Sequence, residues 1–159
     1  MAIAIFVKFN GIDGESRDAA HKGEIDVLDW NWGLSQSGSM HTGTAGGKAN
    51  VQDLSIRKLV DKATTVLQLH CFNGKRIDEV KLSVYKMGET PLEYVTITMK
   101  KVMISSLTSH GANGAEALQE EVTLNFAEVK FEYQPQDQHG KADGGKVEVS
   151  WNIAENVKA

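Results

Sequence analysis

The chain has a single cysteine, Cys71, so no disulfide can form within it, and that suits folding in a reducing compartment. Positive charge is also in short supply. Lys and Arg number 17 against 21 Asp and Glu, for a net charge of -4. No basic stripe is present, which argues against a nucleic-acid partner. Arg57-Lys58 and Lys100-Lys101 are short pairs that read as solvated strand faces. No apolar run approaches the length of a membrane span. The opening MAIAIFVKF has no basic start, and Lys8 breaks its apolar run too early for a signal peptide.

Catalytic motifs are missing as well. The five histidines, at 21, 41, 70, 110 and 139, do not pair at zinc-ligand spacing. Gly46-Gly47-Lys48 superficially suggests a phosphate loop. That motif needs a Gly where Thr42 stands and a Ser or Thr where Ala49 stands. A G-x-S-x-G nucleophile elbow is absent. Glu120-Glu121 reads as a solvated pair at the start of a strand, and Cys71 as a small buried side chain. The sequence therefore predicts no catalytic residue, no metal site and no cofactor.

What the chain does have is alternation. Ile3, Ile5, Val7 and Phe9 share one face of a strand over 1–9. Asn10-Gly11 and Asp13-Gly14 mark turns, and 15–23 is polar loop. From Glu24 to Leu34 the apolar phase jumps from Ile25 and Val27 to Leu28, Trp30 and Trp32, which predicts a bulge near Val27 or Leu28. A strand follows over 48–60. Thr65-Val-Leu-Gln68 fits a capping box, and Asn73-Gly74 a helix stop, so one short helix is expected over 65–73. The rest is strand: around Val80–Val84, Val95–Met99, Val102–Leu107, Glu121–Gln134 and Val147–Ile153. The phase switches between Phe126 and Ala127, as it must where one strand bends between two sheets. At 159 residues this is one domain, mainly β: a barrel or tight sandwich with one helix.

The most distinctive stretch is Glu24–Val51. Leu28, Trp30, Trp32 and Leu34 fall on one face, Asp29, Asn31 and Gly33 on the other. Both tryptophans are expected on the core side. Gln36–Gly47 is then a long loop of Gly, Ser and Thr whose one large apolar residue is Met40. A loop of that length is usually functional or disordered.

The run KGEIDVLDWNWGLSQSGSMHTG, then KANVQDLSIRKLVDKAT, then EEVTLNFAEVKFEYQPQ, resembles the haemolysin-coregulated protein family, Hcp, of the bacterial type VI secretion system. The resemblance spans essentially the whole chain, from GIDGES at Gly11 to WNIAENVKA at the end, and implies a single domain over 1–159. Two departures stand out. The Gly-rich run HTGTAGGK is shorter and more broken than in many members, and Thr65 stands where a Pro often occurs. The resemblance implies a barrel of two antiparallel β-sheets with one short flanking α-helix. It implies a non-enzymatic tube component: a homohexamer whose rings stack into a tube, driven by a sheath, tipped by a spike protein and built on a baseplate. Small effector proteins are expected in the lumen, with no nucleic acid and no membrane insertion. The expected location is the bacterial cytoplasm, then secretion without a signal peptide. The chain ends soon after Trp151, so no appended effector domain is expected. The alternative reading is a monomeric β-barrel holding a small apolar ligand.

Two sets of residues are expected to carry this function. The resemblance puts the Trp strand on the inner wall, so Asp29, Asn31 and Ser35 face the lumen and effectors. The Gly-rich arm supplies the subunit interface through Gln36, Ser37, Gly38, Met40, His41, Gly43, Gly46 and Gly47, with Gln52 and Asp53 beside it. Glycine suits an arm whose backbone must lie close to a neighbour.

Overall fold

The computed structural model describes residues 2–43 and 46–159. The strands are β1 (Ile3–Phe9), β2 (Ile25–Val27), β3 (Asp29–Asn31), β4 (Leu34–Ser35), β5 (Asn50–Val51) and β6 (Leu54–Leu59) before the helix. After α1 (Thr64–Asn73) come β7 (Ile77–Lys86), β8 (Leu92–His110), β9 (Gln119–Tyr133), β10 (Val147–Asn152) and β11 (Val157–Lys158). Among the described residues they form a nine-stranded antiparallel sheet and the two-stranded sheet β4–β5. The large sheet runs β11-β10-β9-β8-β7-β1-β2, and β6 pairs with both β9 and β3. It therefore wraps round on itself into a barrel. The ladder does not close into an unbroken ring, because β2 stays with β1 while β3 goes to β6.

The phase jump at Val27–Leu28 marks that change of partner. β2 pairs with β1 through Ile5↔Val27, and two residues later Asp29 faces Arg57 of β6. Leu28 carries the turn, with its amide donating to the Arg57 carbonyl at 2.7 Å. The jump at Phe126–Ala127 likewise marks a corner. β9 pairs with β6 along its first half and with β10 along its second. The Ala127 carbonyl accepts the Ile153 amide at 2.7 Å, which straps the end of β10 to the corner. On the facing strand Lys101 has a φ of +55°, an uncommon value for a residue with a side chain, and it lets β8 bend there unbroken. The two expected segments 95–99 and 102–107 are thus one strand of 19 residues.

Inside the barrel Phe9, Ile25, Leu54, Ile56, Leu82, Ile97, Met99 and Leu124 are fully buried. They fill the interior with side chains, as in small barrels that hold no ligand. β1 is covered on both faces. Val7 and Phe9 face the core, while Phe6 lies under the loop before β2, stacked on His21 with ring centroids 4.2 Å apart. The loop can lie that close because of Gly14, where a Cβ would sit 2.5 Å from the Glu24 carbonyl oxygen.

Two expectations need correction. The helix starts one residue earlier than expected, and Thr65 does not cap it: the N-cap residue is Ala63, without a side-chain bond. Asp61 serves the helix start instead, accepting the Ala63 amide at 2.9 Å, while Thr64 Oγ1 accepts the Asp61 amide at 3.0 Å. Lys58 and Glu120 are not solvated either. They are fully buried and paired with each other, with Lys58 Nζ also donating to Asp61 at 3.0 Å and Thr64 Oγ1 donating to Glu120 at 2.7 Å. This network ties β6, β9 and the helix start together. Lys58 alternates with the exposed Arg57, so the strand period places one of the pair inside. The helix stop holds: Gly74 is left-handed with a φ of +65°.

Candidate functional site

Four strands build one polar face. In β3–β6–β9–β8, the register sets Asn31 opposite Ser55, Ser55 opposite Thr123 and Thr123 opposite Ser106. The next outward rung is Asp29, Arg57, Glu121 and Thr108. Between them, on the other face, run Trp30, Ile56, Val122 and Leu107, of which Ile56 and Val122 are fully buried. The period of two thus sends apolar side chains inward and small polar ones outward.

The polar side chains bond mainly to one another. Arg57 Nε donates to Asp29 at 2.8 Å, and Arg57 Nη1 to Gln119 at 3.2 Å. Ser55 donates to Glu121 at 3.0 Å. Asp53 accepts from Ser105 at 2.6 Å and from Asn125 at 2.8 Å, and Thr123 shares hydroxyl bonds with Ser105 and Ser106. Hydrogen bonding to Asp29, then its charge, pushes the Arg57 guanidinium pKa up. The result is a polar wall most of whose side chains are bonded to one another, interrupted by one half-exposed apolar side chain, Met103 opposite Asn125. Among the described residues no three His, Cys, Asp or Glu side chains gather as metal ligands.

Of the lumen residues expected from the sequence, Asp29 and Asn31 lie on this face and are exposed. Ser35 does not share their ladder. The chain leaves β6 at Trp32-Gly33, and Ser35 pairs with Asn50 in the β4–β5 ribbon. Ser55, Ser105, Ser106, Thr123 and Asn125 complete the wall, and the sequence reading did not single them out. For Ser55, Thr123 and Asn125 the signal was present in the alternation of Leu54-Ser-Ile-Arg and Val122-Thr-Leu-Asn.

The Gly-rich arm is the tip of the β4–β5 ribbon. Leu34 pairs with Val51, and Gln36 Nε2 donates to the Gly47 carbonyl at 2.9 Å across the neck. Ser37, Gly38, Met40, His41, Gly43 and Gly46 are exposed, with Met40 at 93 %. Thr44 and Ala45 lie outside the described residues. Gln52 sits at the ribbon's base, its carbonyl accepting Trp32 Nε1 at 2.9 Å. Asp53 belongs to the polar wall through Ser105 and Asn125.

Both tryptophans are half-buried against the core, and Trp32 also forms the edge of an apolar cleft. Its ring stacks on Phe131 at 6.4 Å between centroids. The cleft holds about 260 Å³ between the ribbon, with Leu34 and Val51, and β10, with Val149 and Trp151.

Comparison with known proteins gives a consistent picture. Residues 6–133 match the model of a family described as type VI secretion system effector, Hcp. The chain is 50 % identical to protein hcp1 of Pseudomonas aeruginosa over 162 aligned positions that cover both proteins fully. Among solved structures, a type six secretion system protein superposes with a TM-score of 0.92 at 32 % identity, over 99 % of this chain and 100 % of the other. Hcp1 from Salmonella typhimurium superposes with a TM-score of 0.84 at 36 % identity, over the whole of both chains.

Proposed function

This chain belongs to the Hcp family of the type VI secretion system, and on that premise we propose that it is a structural tube component. Six copies form a ring, rings stack into a tube within the sheath, and the spike protein caps it. The lumen carries small effector proteins. The β3–β6–β9–β8 face forms the channel wall, and Asn31 stands at its centre with Asp29 beside it. Ser35 lies nearby on the ribbon. The Gly-rich arm, with Gln36, Ser37, Gly38, Met40, His41, Gly43, Gly46, Gly47 and Gln52, lies along the subunit seam, and Asp53 links that seam to the wall. The role requires no catalysis and no cofactor. The protein is made in the bacterial cytoplasm and leaves through its own machine.

The observation that supports this reading is the wall itself. A channel must hold varied cargo weakly and release it. A large apolar patch would hold one partner permanently. Here the exposed groups are small hydroxyls, amides and paired charges, most of them already bonded to each other. Cargo therefore meets water-like chemistry and finds few unmet donors.

Asn31 gives the test. It is exposed, and its core-side neighbour Trp30 supplies the packing. Asn31→Arg should leave the ring intact and reduce effector retention in a co-purification assay, because six longer side chains intrude on the channel. Unchanged retention would place the cargo surface elsewhere, and a broken ring would make Asn31 a seam residue.

A further inference from the structure

We propose that Met103 is the residue by which the polar wall holds its cargo, and that the cargo it selects is a small protein presenting an exposed apolar side chain; this rests on the channel reading above and deepens it. Val102 and Ile104, on either side of Met103 in β8, are buried. The strand period therefore turns Met103 outward onto the wall, where it is 42 % exposed. Asn125 stands opposite it on β9 and donates to Asp53 at 2.8 Å. Further along the same two strands the wall is polar throughout, with Ser106 opposite Thr123 and Thr108 opposite Glu121.

The polar groups give cargo little hold. A hydrogen bond from cargo to the wall replaces one that each partner already makes to water, so its net contribution is small. Exposed ion pairs contribute little for the same reason. An apolar contact is different, because it removes apolar surface from water and requires no donor or acceptor geometry. On this wall only Met103 offers such a contact, since the other wall side chains end in hydroxyl, amide, carboxylate or guanidinium groups.

Methionine suits the task. Its side chain is unbranched and its sulfur polarizable, so it moulds itself to partners of different shape. One such side chain is far smaller than the surface that a permanent interface buries, so cargo held by it can leave again. Repeated around a channel, the same weak contact is offered several times to one cargo molecule, and the holds reinforce one another. A cargo with a uniformly polar surface gains nothing from Met103, whereas one with an exposed Leu, Met or Phe does.

The test loads rings by co-expression with a small effector protein of the same bacterium. Isotope-labelled methionine methyl groups are followed by NMR, and Met103→Leu identifies the Met103 signal by its loss. On loading, the Met103 signal should shift while that of the fully buried Met99 stays in place. Met103→Gln keeps the length of the side chain and removes its apolar end. It should retain about tenfold less effector, the effect of leaving the exposed part of one Met unburied. Met103→Leu should retain nearly as much as the unmodified chain. Both variants should form the same particle by light scattering, because Met103 lies outside the core cluster. If the Met103 signal does not move, or if Met103→Gln retains effector as before, the assignment is wrong; loss of retention by Asn31→Arg in the same assay would show that the channel reading still stands. If Met103→Gln breaks the particle, Met103 is a packing or seam residue and the inference fails. If no effector stays with the unmodified chain, the channel reading fails and this inference fails with it.

Discussion

Leu67 sits at the inner side of α1 with no exposed surface, and four residues on, Cys71 is half-buried against the same core. Leu67→Ala should therefore cost about 2–5 kcal/mol in denaturant unfolding, and a loss near zero would mean that the helix does not dock through it. Glu93 gives a pH prediction. Burial works to raise its pKa, but hydrogen bonds from Lys146, Tyr85 and Thr96 overcome this and hold it at about 2. The folded chain thus favours the charged form. The contribution is complete above the ordinary carboxylate pKa and is lost as pH falls toward that folded value. Glu93→Gln should flatten the acid limb of the stability curve between about pH 5 and pH 2; an unchanged limb there would contradict the assignment. Lys58 and Glu120 show what sequence cannot tell at this scale. Each sits beside a charged neighbour that really is exposed, and only the three-dimensional pairing across β6 and β9 makes burial of the two tolerable.

At the scale of elements, the strand phases were legible because burial on one face leaves a period of two in the residues. Both phase jumps, at Val27–Leu28 and at Phe126–Ala127, correspond to corners of the barrel. The joining of β8 across Lys101 was hidden, since a positive φ at a lysine has no sequence signature. The helix start was misread because Thr65 and Gln68 carry the right spacing, while Asp61 and Thr64 make the bonds. The Gly-rich arm makes its own prediction. Its neck is held by the β4–β5 ladder and by Gln36, outside the segment 42–46. Deleting residues 42–46 should leave the β-rich circular dichroism intact and weaken ring formation or ring stacking, as seen by sedimentation. If sedimentation is unchanged, the arm plays no part in assembly.

At the scale of the whole molecule, the surface divides by chemistry. The wall bonds most of its polar side chains to one another, while Leu28, Leu59, Val147 and Val149 are left exposed by the described residues of the chain. The β3 part of the wall was legible, because Asp29 and Asn31 alternate with two tryptophans. The rest comes from β6, β8 and β9, and no local pattern ties Ser105 to Asp53. The exposure of Val147 and Val149 was not legible, because with Trp151 they read as an ordinary core-facing strand. The account's central claim is that this chain assembles into a ring around that wall. Size-exclusion chromatography with multi-angle light scattering tests it most directly on the unmodified protein. The account predicts a particle with the mass of six chains, and a particle with the mass of one chain would contradict it.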